Sequence, residues 1–567
     1  MGRSAHSLMF ETGIEQANRT LILQTPDGAR TLLPQRAVGE SRIGRGLELV
    51  VDVVSRERTV ELKKLMGQPV TLWVLQPDGT YFPYHGYVFA TRRLGGDGGL
   101  SYYQLSLSSW MRFLQHRKDA RIFQDLTTAD IIARVFEGHP LARGHYRFDV
   151  TDRGAKRSYC TQYETDDNFV HRLMESEGWF TYIEQAEDGK SHTVVITDDI
   201  GRCKSLDSQE ITFYRGGRDG YADTLVEWGS ERIVESVAYA MRTADYKRPS
   251  FPRARSGKSW AKRGDVPDTL EVYEYAGHYS FPVPEGRDLG ERYVRMRLEE
   301  LDSRSKRFFG VGSVRCMDAG RWFRLKHHPE HDSDNAQDQE FATIAVRWYI
   351  QNNLPLGNSR PFPHSLQRQM ARVRAEYQDL QTVFTSRDPN GGESFFLVEI
   401  EAQRRRVPYR SPFEHKKPVM HMQTATVVGP ANEEVYTDEL NRVKVQMHWD
   451  RLGSNDQSSS CWVRVVSPNA GGTFGGVFVP RVGHEVAIDY VDGDCDRPVV
   501  TGVLFNGLNT PHWHTNGLLS GFKSKEYGGQ GFNQLVLDDS TGQNRAQLYS
   551  STASSYLHIG YCVFRRT

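Results

Sequence analysis

Along most of the chain, apolar and polar residues alternate with a period of two, the pattern of half-buried strands. LELVVDVVS and QPVTLWVLQPDG read as strands, the second ending at the Asp78-Gly79 turn. GGDGG at 95–99 then precedes the strand-like SYYQLSLSSW. Three segments switch to helical spacing. TTADIIARVFEG sets Ile131, Ile132, Val135 and Phe136 on one face, with Thr and Asp at its start and Gly138 as its stop. DDNFVHRLMESEG buries Phe169, Val170, Leu173 and Met174, with Asp166 and Asp167 expected as caps and Gly178 as the end. DLGERYVRMRLEELDSRS is a charged helix with a narrow apolar stripe.

A compositional break falls at 352–420, where NNLPLGNSRPFPHS and the basic RRRVPYRSPFEHKKP interrupt the pattern. Short strands resume from 420 to 510. In NRVKVQMHWD, Val443, Val445, Met447 and Trp449 alternate with Arg442, Lys444, Gln446 and His448. Five to six such strands between Gly, Asn and Asp turns predict a small barrel of the OB type, with Val445, Val465 and Ile488 inside. Beyond 515 the strands narrow to NQLVLDD, RAQLYSS and YLHIGY. Leu535 and Leu537 alternate with Gln534, Val536 and Asp538; Leu548 stands between Gln547 and Tyr549, and His558 separates Leu557 from Ile559. So few large aliphatic groups cannot offset the entropy of ordering the segment. These strands therefore call for partner chains. The expected division is 1–419, 420–510 and 511–567.

A length of 567 residues fits three or four domains of ordinary size. Lys and Arg number 71 and Asp and Glu number 71, so the chain lacks the basic footprint of a nucleic-acid binder. No apolar run reaches the roughly 18–20 residues of a membrane helix. MGRSAHSLMF carries neither the apolar stretch nor the cleavage site of a signal peptide, so assembly is expected in the cytoplasm and export by another route. Six cysteines without a CxxC spacing predict reduced thiols.

Local motifs offer little chemistry. His327-His328-x-x-His331-Asp332 imitates a metal cluster, but Pro329 prevents the helix that would put two of its histidines on one face. A polar loop is expected there. His512-Trp513-His514 supplies only two ligands. Asp492-x-Asp494-x-Asp496 lacks the glycine and the bidentate glutamate of a calcium loop and reads as a turn. GxSxG is absent, and GGTFGG does not lie between a strand and a helix. No catalytic, cofactor-binding or metal residue is expected, and no cofactor.

Several segments together resemble one family. They are VSRERTVELKKLMGQPVTLWV, HGYVFATRRLGGDGGLSYYQLSLSSWMRFLQHRKDARIFQDLTTADII, CTQYETDDNFVHRLMESEGWFTYI, NRVKVQMHWD, CWVRVVSPNAGGTFGGVFVPRVGHEVAIDYVDGDCDRPVVTGVLFN and SGFKSKEYGGQGFNQLVLDDSTGQNRAQLYSS. Their order and the R-x-G-x-E-V…D-x-D-R-P…G core are similar to the VgrG (valine–glycine repeat) spike proteins of type VI secretion, which are related to phage tail-spike hubs. The resemblance implies a mainly β chain with minor helices: a hub-like N-terminal region of paired β-barrels, an OB-fold collar and the start of a trimeric β-helical needle. It further implies a homotrimer on a haemolysin-coregulated protein tube, a PAAR-repeat tip protein, effector toxins with adaptors, and transient contact with a target membrane. Two departures stand out. Residues 1–30 match the family's opening loosely, and CVFRRT closes the sequence where the family continues into a long needle.

Three functions compete at this point: a structural spike that carries effectors, a phage-type baseplate hub with a lysozyme, and a β-rich metal-dependent hydrolase. A lysozyme inserted between collar and needle needs on the order of 100 residues. The barrel strands end near Phe505 and NQLVLDD begins at Asn533, so the spacing favours the non-enzymatic spike.

Overall fold

The computed structural model describes residues 19–26, 32–97, 99–214, 223–247, 249, 253–259, 264–278, 289–354, 361–387, 392–513, 517–552 and 555–560. They divide into two compact units. One draws on Met1–Asp119, Leu126–Lys156 and Glu164–Lys417, the other on Ala120–Asp125, Arg157–Tyr163 and Pro418–Thr567.

The first unit is built on one long sheet that curls twice. Strands β1 (Leu21–Gln24), β2 (Leu33–Arg42), β3 (Gly46–Ser55), β4 (Pro69–Leu75), β5 (Tyr81–Gly96) and β6 (Ser101–Ser108) run in the order β1-β4-β5-β6-β3-β2. The same sheet continues through β7 (Ser205–Phe213), β8 (Thr224–Arg232), β9 (Lys306–Gly312), β10 (Trp322–Lys326), β11 (Glu340–Gln351) and β12 (Glu393–Arg404). Strand β11 pairs with β2, and the order β11-β10-β7-β8-β9-β12 returns to β11 through a second β12 pairing. Six strands thus close into a barrel. The alternation in LELVVDVVS places Leu47, Leu49, Val51 and Val53 in a core shared with Leu72, Leu105, Phe323, Phe341 and Val398.

Four longer helices belong to the same unit: α1 (Thr128–Glu137), α2 (Asp166–Ser176), α3 (Leu289–Ser305) and α4 (Gln367–Glu376). Thr127 caps α1, its hydroxyl accepting the Asp130 N–H at 3.2 Å. The cap of α2 corrects the sequence reading. It is Thr165, whose hydroxyl accepts the Asn168 N–H at 3.2 Å, while Asp166 and Asp167 lie in the first turn. A threonine in extended backbone can turn its oxygen back onto the free amides, whereas a residue already inside the helix cannot. Gly178 ends the segment with φ +71°, the left-handed conformation glycine tolerates. Helix α4 and the short helix Gln381–Phe384 lie inside the compositional break at 352–420 and add to the three helices that the sequence pattern predicts. QRQMARVRAE buries only Met370 and Val373, so its apolar stripe is one residue wide and the flanking Pro and Asn texture hides it. Those two side chains pack with Tyr349, Phe384 and Phe395.

The second unit holds a five-stranded sheet of β13 (Gln423–Val428), β14 (Lys444–Met447), β15 (Arg464–Val465), β16 (Glu485–Tyr490) and β17 (Pro498–Leu504), in the order β14-β13-β16-β17-β15. Val443 and Val463 exchange both backbone hydrogen bonds, at 2.9 and 2.8 Å, which joins the two outer strands into a barrel. Val443, Val445, Met447, Val486, Ile488 and Val500 fill it, and Val465 packs half-buried against them. Trp449 is also half-buried. Gln446 departs from the alternation: it is buried, and its side-chain amide donates to the carbonyls of Met447 and Asp450 at 3.2 and 2.8 Å. A four-stranded antiparallel meander follows, β18 (Leu519–Lys523), β19 (Asn533–Asp538), β20 (Arg545–Ser550) and β21 (Ser555–Gly560). The fold is β-rich with minor helices, as the pattern predicts.

Candidate functional site on the C-terminal strands

The meander places its aliphatic side chains in rows across the strands. Register sets Phe522 opposite Leu535, Leu535 opposite Leu548, and Leu548 opposite Leu557. A second row runs Leu537, Ala546, Ile559. Period-two alternation puts each row on one face. Both rows are open to solvent in the single chain: Phe522 is 59%, Leu548 54%, Leu557 57% and Ile559 67% exposed. Contiguous apolar surface of this kind marks an association face. Gly521 permits the first pairing, because a Cβ at that position, with φ +141°, would lie 1.9 Å from the Leu535 carbonyl oxygen.

The long sequence core R-x-G-x-E-V…D-x-D-R-P acts as scaffolding for this segment and its barrel. Arg481 pairs with Glu434 at 3.3 Å and donates to the Lys525 carbonyl at 2.6 Å, while the Lys525 ammonium bonds Glu434 at 2.7 Å. The Lys525 hydrogen bond holds the Glu434 carboxyl below its ordinary range. Tyr527 donates to Glu433 at 2.9 Å. Gly483 turns at φ +85°, and Glu485 accepts the Asn506 side-chain amide at 2.8 Å. In the D-x-D-R-P stretch, Asp494 accepts the Asp496 N–H at 2.9 Å and Asp496 accepts the Thr161 N–H at 2.6 Å. These carboxylates organise backbone.

His328 and His331 are buried with their rings stacked 4.7 Å apart. His331 Nδ1 lies 3.1 Å from Asp334, and the Arg404 guanidinium sits 2.8 Å from the same carboxylate. Burial, and after it the Arg404 charge, lowers the His331 pKa. A fixed guanidinium at the ring opposes a second cation there. Of the His512-Trp513-His514 fragment, His514 lies outside the described residues, and His512 faces the Lys523 ammonium at 3.1 Å. The structure also gathers a set of polar residues that local motifs did not reveal: Asp167 and His171 on α2 with His415. The spacing of the first two at i and i+4 is readable on a helix. The third arrives from far along the chain.

The chain matches three family descriptions in order: phage tail baseplate hub (GPD) over residues 40–354, type VI secretion system/phage-baseplate injector OB domain over 424–505, and putative type VI secretion system Rhs element Vgr over 525–567. It is 29% identical over 547 residues to the type VI secretion system spike protein VgrG1a of Pseudomonas aeruginosa, covering 94% of this chain and 78% of that one. To VgrG1b of the same organism it is 30% identical over 552 residues, covering 95% of this chain and 68% of that one. Among solved structures, the E. coli c3393 protein, a type VI secretion component similar to T4 bacteriophage tail proteins gp27 and gp5, aligns with TM-score 0.55 at 14% identity, over 85% of this chain and all of that one. The Francisella PdpA–VgrG complex aligns with TM-score 0.58 at 6% identity, over 92% of this chain and 73% of that one. At such identities the structural matches bear on the fold.

Proposed function

The chain belongs to the VgrG family of type VI secretion spike proteins, and on that premise we propose that three copies unite through the C-terminal strands into one spike. Its function is that of a structural spike component of the secretion machine. The observation that carries the trimer is the pair of apolar rows through Leu548 and Ile559, left open in the single chain. Three meanders that turn these rows toward a common axis would remove them from water and pair their free strand edges. We divide the work among 1–419 as hub, 420–510 as OB collar and 511–567 as the start of the needle.

In this reading the hub end seats on a tube of haemolysin-coregulated protein, the needle end accepts a PAAR-repeat tip protein, and effector toxins ride with their adaptors. A contracting sheath then drives the closed barrels through a target membrane, and the chain leaves the cell by this route. Rigidity is the property such a device needs, and closed barrels supply it without an active site. Hub-only function in a phage baseplate is less favoured, because similarity to the spike proteins extends over the needle strands as well as the hub.

Light scattering coupled to gel filtration tests the proposal. The expected mass is three times 64.7 kDa, and Leu548→Asp should shift it toward one chain. A wild-type monomer at every concentration overturns the trimer.

A further inference from the structure

Helix α2 presents Asp167 and His171 on the same face, with Asp167 Oδ1 and His171 Nε2 3.5 Å apart. His415 lies against them, its ring stacked on His171 at 4.7 Å and 23°. One ligand atom from each of the three residues falls within 4.8 Å of the other two. An ion bound at about 2.0–2.1 Å by tetrahedral N and O ligands holds them about 3.4 Å apart. The Asp167–His171 pair already has that spacing, and the His415 ligand atom lies within 4.8 Å of both.

The second layer is built as well. Glu175, 2% exposed at its side chain, accepts from His415 Nδ1 at 2.7 Å. Its other oxygen accepts the backbone N–H groups of Glu414 and His415 at 3.1 and 3.0 Å. One carboxylate therefore fixes the ring, the tautomer and the backbone of a residue 240 positions away, and leaves the Nε2 lone pair available. A carboxylate on the far nitrogen is the usual support of a metal-binding imidazole. A cavity of about 80 Å³ opens beside the three residues, bordered by Gln115, Ser109 and Arg112. Arg45 also lines this cavity and its charge acts on His171, but here the guanidinium is shared by two carboxylates, Glu175 and Glu414, and Asp167 adds a third negative charge beside it, while Arg112 pairs with Glu48.

We propose that Asp167, His171 and His415 bind one borderline divalent cation of the zinc class, with Glu175 as the positioning residue. Two imidazoles and a carboxylate suit such an ion, and the cavity leaves room for water as a fourth ligand. The ion would clip the segment around His415, near the end of the first unit, to α2. This site lies outside the motifs on which the expectation of no metal rested.

The test uses the full chain, stripped with a chelator and titrated with ZnCl2 by calorimetry and with CoCl2 by visible absorption. One equivalent per chain is expected, with cobalt bands of a low-coordinate N/O site and a higher melting temperature in zinc. Asp167→Asn, His171→Gln and His415→Gln should each weaken binding at least tenfold, and Glu175→Gln by about 10–100-fold. Circular dichroism of the metal-free variants verifies their fold; should His171→Gln misfold, the half-buried Asp167→Asn carries the same comparison. The double variant His327→Gln/His331→Gln should bind as wild type. Wild-type protein without stoichiometric uptake, uptake that survives in the Asp167 and His415 variants, or uptake lost in the His327/His331 variant overturns the proposal.

Discussion

The side chain of Asn352 pairs with Leu21 as a neighbouring strand would: its Oδ1 accepts the Leu21 N–H at 3.1 Å and its Nδ2 donates to the Leu21 carbonyl at 2.9 Å. The same Nδ2 donates to the Pro34 carbonyl at 2.7 Å, so one buried amide bridges the edges of β1 and β2. Backbone pairing in the first half of the sheet runs from β1 round to β2, and the asparagine fills the gap between its ends. Asn352→Ala leaves four buried backbone groups without this partner: the N–H and carbonyl of Leu21, the Pro34 carbonyl and the Asn353 N–H. Each such loss costs about 1–3 kcal/mol, and water entering the vacated space would recover part of it. The expected loss is about 2–4 kcal/mol, seen as a lower melting temperature of the hub unit. Asn352→Asp should be worse, since it turns an acceptor toward two carbonyls. An unchanged melt for Asn352→Ala would show the bridge to be ornamental.

Acid should weaken the hub through His85 and His192, whose Nδ1 atoms face each other at 2.8 Å. The Trp110 N–H donates to His192 Nε2 at 3.3 Å, which assigns the Nδ1 proton to His192 and the acceptor role to His85. Burial is the leading cause that lowers the pKa of His85 to about 4 and of His192 to about 3, with neighbouring imidazoles adding to it. Both values lie below the unfolded value near 6.5. Between those limits the unfolded chain takes up protons that the folded chain refuses, so stability is full above pH 6.5 and falls as pH drops toward 4. One such group contributes a slope of up to about 1.4 kcal/mol per pH unit. Carboxylates paired in the fold add losses of the same sign, so the informative quantity is a difference. Melts of His85→Gln from pH 7 to 4.5 should show a shallower decline than wild type. Identical slopes would remove the pair from the acid response.

The barrel interior gives a register test. Ile488 is fully buried and lies opposite Gln423 on one side and Val500 on the other. Ile488→Ala should cost about 2–4 kcal/mol through lost contact and residual cavity. Chemical denaturation followed by the barrel's tryptophan signal measures it. No loss would mean that the strand faces the other way, since a one-residue slip exchanges the two faces.

How much of this was legible beforehand depended on whether the cause was local. Val443, Val445 and Met447 declare their face by alternation, and Ile131, Ile132, Val135 and Phe136 by helical spacing; each pattern is set by neighbours within a few residues. Gln446 sits where the same alternation points outward, yet its amide is consumed by the Met447 and Asp450 carbonyls. That use depends on a loop the pattern does not encode. Asn352 opens the compositional break, and the strand residues it bridges, Leu21 and Pro34, are more than 300 residues away. His415 is similar: nothing near it signals Asp167 or Glu175. The Leu and Ile of the last strands were legible as an apolar deficit, and the register explains why they remain exposed.

The last prediction concerns those strands. The barrel has its own closure at Val443 and Val463 and its own core, every member of which precedes Phe505. The meander touches it through limited polar links, such as Arg481 to the Lys525 carbonyl, and through the stacked rings of Phe478 and Phe522 at 5.1 Å. Removing the meander should therefore leave the barrel folded while deleting both exposed apolar rows. A chain ending at Asn509 is expected to keep its barrel and hub transitions in thermal melts, and to associate at least tenfold more weakly in sedimentation experiments. In a strain lacking the full-length gene it should fail to restore secretion of the tube protein, because a spike whose three chains separate cannot seat or transmit the thrust of contraction. Full secretion supported by the truncated chain would place trimerisation elsewhere and leave the C-terminal rows without the role assigned to them.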